Sequence, residues 1–206
     1  MAVQQNRKAS KVGKAELPRD HILSAAAKLF RDQGFAATTL RQIAAAANMQ
    51  AGSIYYHFTS KDEILDEVLD VGLARIFDAV RQAVAECGSE AGAEERILAA
   101  MGAHLRTLLS RSEFTSVNIR VYGQLPEPVR ERHRPKRRRY GLFWDDLFRQ
   151  AVQTGAFRSD MKVKPLRQFV LGALNWTVEW FDPERHSVNE LVERCTQLIL
   201  SGVRRQ

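Results

Sequence analysis

The stretch from residue 39 to 58, TLRQIAAAANMQAGSIYYHF, constrains this 206-residue chain more than any other part. Thr39 and Gln42 stand at the spacing of a capping box, in which both side chains bond free backbone N–H groups at the start of a helix. Apolar side chains recur at helical spacing up to Asn48, a residue type that tolerates the left-handed conformation ending a helix. A second apolar pair follows, with Ser, Tyr and His on its other faces. Two short helices joined by a tight turn predict a helix-turn-helix.

The residues after this stretch predict a further helix with an unusual first residue. Ser60 and Glu63 form a second capping-box pattern, so a helix begins at Lys61. A Lys in a first helical turn opposes the helix dipole, unless a phosphate lies at that N-terminus. The alternative is an ordinary solvated Lys. The Tyr-Tyr-His run just before it favours the phosphate contact.

These segments resemble the TetR family of bacterial transcription regulators. The resembling part runs from His21 to about Leu69, as HILSAAAKLFRDQGF, ATTLRQIAAAANMQAGSIYYHF and SKDEIL, with no gap in the spacing. Two residues of the turn depart from the family: Asn48 replaces the usual Gly, and Gln50 replaces the usual capping Ser. Because Gln is a poor helix cap, we expect Gln50 to face DNA instead.

The resemblance implies a DNA-binding surface on the helix-turn-helix. It assigns phosphate contacts to Thr39, Tyr56, His57 and Lys61. It places near the base edges Arg41, Gln50, Ala51, Ser53 and Tyr55, and it adds Gly52 as a further DNA-binding residue.

Composition and motifs bound the functional class. The net charge of +7 favours an anionic partner, either nucleic acid or a membrane surface. No apolar run is long enough to span a membrane and no signal peptide is visible, so we expect a cytoplasmic protein without membrane attachment. Cys87 and Cys195 are predicted to be buried thiols. The five His residues are scattered, with no HExxH, Cys pair or Gly-rich phosphate loop, which argues against an enzyme, a metal site and a bound cofactor.

The predicted organisation has three parts. Residues 1–17 are basic and almost free of apolar side chains, which indicates a flexible tail or a basic arm adding phosphate contacts. Residues 18–65 form the helix-turn-helix domain, and residues 66–206 form a ligand-binding and dimerisation domain. The helix from Lys61 to about Gly88 is shared by both domains.

The second domain is predicted to be entirely helical, which makes the whole chain all-α. We expect helices over 94–110 and 114–122, then a long helix that ends at about 154, and two more over 163–181 and 187–203. Pro135 predicts a kink or break in the first half of the long helix. The helix over 163–181 is apolar on nearly every side. A single small domain rarely buries all sides of one helix. A second copy of the chain is the simplest cover, and the family resemblance likewise implies a homodimer through the last two helices.

Two groups of residues are candidates for a ligand site. Seven cations lie between Arg130 and Arg139, and either face solvent, bind DNA or bind a ligand with several phosphates. Asn175, Trp176, Glu179 and Trp180 mix polar groups with large aromatics, as a ligand pocket or an aromatic core beside a dimer interface does. His104 lies among apolar neighbours, as a hydrogen-bonded core His does.

GALNWTVEWFDP, LPEPVRERHR and GAFRSDM resemble a TetR subgroup that senses acyl-coenzyme A thioesters. That resemblance implies coenzyme A phosphates at Arg137 and Arg138, and an acyl chain among Phe143, Trp144 and the two Trp residues above. The sequence thus predicts a repressor released from a palindromic double-stranded DNA operator by a small apolar or acyl-CoA-type effector. The alternative is a regulator or activator controlled by a protein partner, with no small molecule.

Overall fold

The computed structural model describes residues 18–110 and 113–204, and over these residues the chain is all-α. This confirms the predicted fold class. The helices are α1 Pro18–Gln33, α2 Leu40–Ala46, α3 Ala51–Ile54, α4 Lys61–Glu86, α5 Ala93–Leu109, α6 Glu113–Arg120, α7 Glu127–Gln153, α8 Val163–Trp180 and α9 Val188–Val203, with a 3-10 turn at Tyr122–Gln124. The predicted basic tail at 1–17 lies outside the described residues.

The helix-turn-helix unit, α1 to α3, closes on a small apolar core. Phe30, Ile43, Ile54 and Phe58 are almost completely buried in it. Two residues with positive φ set its turns: α1 ends before Gly34, at φ 84°, and the turn after α2 passes through Asn48, at φ 54°, as predicted for Asn48. The left-handed conformation at these two residues reverses the chain tightly enough for the three helices to share one core.

Helix α4 belongs to two cores. The first half of its buried face, including Ile64 and Leu65, packs into the core of the helix-turn-helix unit. The second half, including Ile76 and Val80, packs into the core of the C-terminal helices α5 to α9. Helix α6 and the start of α7 also join the first core, so that core extends well beyond the helix-turn-helix unit. The division of the chain at residue 65 remains a prediction.

Helix α7 corrects the expectation of a break at Pro135. It continues through Pro135 without a break. Proline removes the backbone donor to the carbonyl four residues earlier. That carbonyl belongs to Glu131, and both Glu131 and Pro135 are exposed. Water can therefore bond to the Glu131 carbonyl, while the rest of the helix keeps its backbone hydrogen bonds.

Two smaller expectations are also corrected. At the start of α4, Ser60 accepts a hydrogen bond from the backbone N of Glu63, but the Glu63 carboxylate accepts from the backbone N and hydroxyl of Thr59 instead of closing a capping box on Ser60. Cys87 and Cys195 are free thiols, but each is half-buried, not buried.

Helix α8 is not covered on all sides within one protomer. Phe169, Trp176 and Trp180 on α8 are 71%, 65% and 53% exposed, and Leu198 on α9 is 77% exposed. Apolar side chains of this size, exposed together, form a surface that needs a partner. Along the described part of the chain, no helix combines the length and apolar character that crossing a membrane requires.

Candidate DNA-reading surface and effector cavity

The predicted DNA contacts lie together on the outer face of the helix-turn-helix unit. Thr39 caps α2 through its hydroxyl, which accepts from Gln42 N at 3.2 Å, and the Gln42 side chain accepts from Thr39 N at 2.8 Å. This capping box fixes where α2 begins. Tyr55 and Tyr56 project beyond the end of α3 and are 63% and 89% exposed.

The remaining predicted contacts have the exposure that this surface needs. Gln50 precedes α3 without a side-chain capping bond, and its side chain is free in solvent. Exposed residues here also include Arg41, Ala51 and Gly52, while Ser53 and His57 are partly exposed. Among the described residues, nothing beyond the adjacent residues and the backbone of its own helix lies within 4 Å of the point where a Cβ at Gly52 would sit, so the backbone is open to a close partner.

Lys61 has a structural role that the sequence did not indicate. Its ammonium donates to the carbonyl of Phe35 at 2.8 Å and to the carbonyl of Thr38 at 2.7 Å. It also lies 4.2 Å from the centre of the Phe35 ring. Lys61 therefore ties the α1–α2 connection to the first turn of α4, and a phosphate contact would use its remaining donor.

The basic run on α7 divides into two faces. On one face, Arg132 donates to Asp66 at 2.8 Å and Lys136 donates to Asp70 at 2.6 Å, both on α4. Buried His133 lies between them, with a ring nitrogen 3.6 Å from each of these carboxylates. Its burial lowers the pKa of His133, against the opposing effect of Asp70. This half of the run fastens α7 to the N-terminal half of α4.

The other face of the run borders a cavity of about 370 Å³ among α4, α5, α6, α7 and α8. Arg134 is paired with Glu131 of its own helix, whereas Arg137 and Arg138 have no carboxylate partner among the described residues. Burial lowers the pKa of Arg137. None of the described lining residues is acidic, and the apolar part of the wall is formed by Leu73, Ile76, Ile119 and Leu171.

A neutral hydrogen-bond network forms one wall of this cavity. His104 is buried, with Nε2 3.1 Å from Asn175 Oδ1 and Nδ1 2.8 Å from the Tyr140 hydroxyl. Because an amide oxygen only accepts, Nε2 carries the proton and the Tyr140 hydroxyl donates to Nδ1. Burial lowers the pKa of His104 to about 4, and burial also raises the pKa of Tyr140. The network leaves the amide nitrogen of Asn175 as a donor for a ligand, so the polar groups offered by this wall and by the two Arg residues are donors.

A second concave region, which we call the groove, lies between α8 and α9. Its volume is about 830 Å³ and its lining is almost entirely apolar. Trp176 and Trp180 lie here, together with Phe169 and Leu198, and not in the cavity. The structure thus separates side chains that the sequence analysis grouped into one candidate site.

The other candidate ligand residues occupy three further environments. Trp144 is completely buried in the core, with its ring centre 6.2 Å from that of His104. Phe143 is half-buried and packs edge-on against Phe77. Glu179 accepts from Arg120 at 3.1 Å. Only Arg137, Arg138 and Asn175 of the predicted ligand residues line the cavity.

Sequence reasoning missed Asn118 and Tyr140 as cavity residues and assigned His104 only to the core. Asn118 lies on the buried face of α6, between the apolar residues Val117 and Val121. A polar residue at a core-facing helical position was the available signal. Within the described ranges, no group of three or more His, Cys, Asp or Glu side chains is arranged to hold a metal ion.

Comparison with known proteins places this geometry in one family. The family profile described as "Bacterial regulatory proteins, tetR family" matches residues 22–68, and that described as "Tetracyclin repressor-like, C-terminal domain" matches residues 90–203. The chain belongs to the TetR family. It is a DNA-binding transcriptional regulator and not an enzyme, as the sequence predicted.

Individual relatives span nearly the whole chain. The transcriptional repressor KstR2 of Mycolicibacterium smegmatis is 27% identical over 191 residues, 90% of each protein. The solved structure of the ketosteroid transcriptional regulator KstR2 of Mycobacterium tuberculosis superimposes with a TM-score of 0.81 at 25% identity, over 94% of this chain and 98% of that one. AibR, solved with isovaleryl coenzyme A and operator DNA, shares the fold with a TM-score of 0.80 at 23% identity, over 88% of this chain and 97% of that one.

Proposed function

We propose that this TetR-family regulator is a homodimeric, cytoplasmic repressor that is released from a palindromic operator when an effector enters the cavity. The observation that carries the proposal is the course of α4. Its first residue, Lys61, holds the connection before the DNA-reading helices, and later residues of the same helix, Leu73 and Ile76, line the cavity. An effector that shifts α4 therefore changes the position of the DNA-reading surface.

The groove supports the dimer. Two copies of α8 and α9, packed about a two-fold axis, bury the exposed aromatic side chains in an isologous four-helix interface. Such a dimer presents two DNA-reading surfaces to successive major grooves, with their centres about 34–36 Å apart. In this arrangement, Trp176 and Trp180 contribute to the protomer interface.

The cavity supports an amphipathic, anionic effector of the acyl-CoA type. The two Arg residues without carboxylate partners, Arg137 and Arg138, offer donors to phosphate or carboxylate oxygens, and the apolar wall accepts an acyl chain. AibR was solved in complex with isovaleryl coenzyme A, and KstR2 is a ketosteroid transcriptional regulator. Both relatives are compatible with an effector from lipid or sterol metabolism here.

In-vitro selection from random duplex DNA, followed by footprinting, tests the proposal. We expect a palindromic site protected by a dimer, and loss of protection when a medium-chain or long-chain acyl-CoA is added. Light scattering at micromolar protein concentration checks the assembly, and a stable monomer would contradict it. Palindrome binding that no acyl-CoA, free fatty acid or neutral ester alters would favour control by a protein partner.

A further inference from the structure

Asn118 connects the effector cavity to α4 by a direct hydrogen bond. It is 3% exposed, and its amide nitrogen donates to the carbonyl of Leu69 on α4 at 2.9 Å. A buried amide bonded to the backbone of another helix fixes the distance between the two helices, because leaving either group unpaired is costly. Asn118 therefore tethers α6 to the middle of α4.

The same contact is unusually close because Gly72 stands opposite it. A Cβ at Gly72 would overlap the carbonyl oxygen of Phe114 on α6 and crowd the Asn118 amide. The backbones of α4 and α6 thus touch without intervening side chains. Since closely packed interiors transmit displacement, a shift of α6 at Asn118 moves α4 with it.

Arg137 holds Asn118 from the cavity side. Its guanidinium lies 4.0 Å from the centre of the Tyr122 ring and donates to the Asn118 backbone carbonyl over a long 3.4 Å hydrogen bond. A neutral carbonyl at this distance is a weak acceptor. A phosphate or carboxylate oxygen forms shorter bonds to a guanidinium, frequently as a bidentate pair, and adds the attraction between opposite charges. An anionic group entering the cavity will draw Arg137 away from Asn118.

We propose that Arg137 binds the oxyanion of the effector and that Asn118 is the positioning residue that passes the resulting shift to α4. This inference rests on the proposed function for its effector, but the link itself is a property of this chain. The oxyanion is either a coenzyme A phosphate or a free carboxylate. Before the effector binds, Arg137 steadies Asn118 and α4; after it binds, that support is withdrawn.

A double-mutant cycle tests the link without DNA or effector. Arg137→Gln, Asn118→Ala and the double variant are compared by hydrogen exchange of the backbone amides of residues 61–73. Each single change should speed exchange about three- to tenfold, which corresponds to the loss of one hydrogen bond. The link predicts that Arg137→Gln adds nothing in the Asn118→Ala background. Independent structural effects would add in free energy, so a rate increase in the double variant equal to the product of the two single increases would overturn the proposal. Ser116→Ala, on the same helix, is the matched control and should leave exchange unchanged.

A second measurement follows the effector. Binding of decanoyl-CoA and of decanoate is measured by calorimetry, and operator affinity is measured with and without each. In wild type, the active probe should weaken operator binding. In Asn118→Ala, compared at probe concentrations that calorimetry shows to be saturating for each protein, the probe should lose most of its effect on the operator. Undiminished release from Asn118→Ala would overturn the link and leave the proposed function standing. If neither probe binds wild type, the effector class is wrong and the exchange cycle alone decides the link. Activity of decanoate alone identifies a carboxylate as the oxyanion, and activity of decanoyl-CoA alone identifies a phosphate.

Discussion

The two proposed binding regions of the molecule present their polar side chains in opposite directions. On the DNA-reading surface they project outward from a small apolar core, and Tyr56 is 89% exposed. In the effector cavity they point inward, and His104 is only 2% exposed. Polar side chains on an outward surface can contact a large, hydrated, charged partner such as DNA. Hydrogen-bond donors enclosed in a cavity instead select a small molecule that carries acceptor groups.

The difference also lies in how the chain assembles each region. The DNA-reading residues fall within one stretch, 39–61, whose local turns and caps set their geometry. The cavity draws residues from five helices, between Leu73 and Asn175. Its geometry depends on packing across the whole regulatory half, so a change in any of these helices can reach it.

The groove is the exception, because there the regulatory helices expose large apolar side chains. Trp180→Arg should give monomers with strongly reduced operator affinity, since an unpaired charge buried at a two-fold interface costs about 3–5 kcal/mol in each protomer. Sedimentation and operator titration measure both effects. Gln153→Arg, an exposed position on α7, is the control. A fully dimeric Trp180→Arg protein would show that the groove is not the interface.

The inward region should respond to pH through His104. Its pKa of about 4 lies below the ordinary value of 6.5, so the folded state binds fewer protons than the unfolded state between these values. The stability due to neutral His104 is complete above pH 6.5 and falls by about 3 kcal/mol as the pH drops to about 4. Urea unfolding of wild type and His104→Gln checks this. We expect a shallower pH slope in the variant and the wild-type slope in His186→Gln, because His186 is exposed.

The two cavity Arg residues separate an effector site from a nucleic-acid patch. Replacing Arg137 and Arg138 together by Gln should reduce the response to a long-chain acyl-CoA by about 1–3 kcal/mol of coupling, or about 5- to 150-fold. Operator affinity without effector should fall by no more than a few-fold, because the long 3.4 Å bond from Arg137 to Asn118 is lost as well. Arg139→Gln, which changes a cation outside the cavity lining, should behave as wild type. Should the double variant lose DNA binding and keep its full response, the basic run would belong to the DNA-reading region.

The smallest expected effect is at Lys61, where the outward region meets α4. Lys61→Ala should weaken binding to operator and random DNA alike and reduce the salt slope by about one. It should also lower the free energy of unfolding by about 1 kcal/mol, because the carbonyls of Phe35 and Thr38 lose their donor. Tyr56→Phe, which keeps the ring, should leave stability unchanged. A change in one base preference alone would assign Lys61 to base reading.

The same contrast explains what could be predicted from the sequence. Capping residues, Asn48 and the apolar repeats act over a few neighbours, so the helices, including the helix-turn-helix that carries the proposed DNA contacts, followed from local rules. The burial of Trp144, the exposure of Trp176 and the tether at Asn118 depend on which helix faces which, and periodicity does not specify that. The basic run on α7 shows the limit clearly, because its acidic partners, Asp66 and Asp70 on α4 and Glu131 on α7 itself, decide which cations remain for a ligand.

The most direct test of the account is the affinity of the effector for the dimer, measured by calorimetry with and without operator DNA. Because coupling between two binding sites is reciprocal, an effector that weakens operator binding must itself bind the operator complex more weakly, by the same factor. We predict about 5- to 150-fold weaker binding of the active acyl-CoA to the complex than to the free dimer. Equal affinity in the two states would contradict release of the operator by a ligand in the cavity.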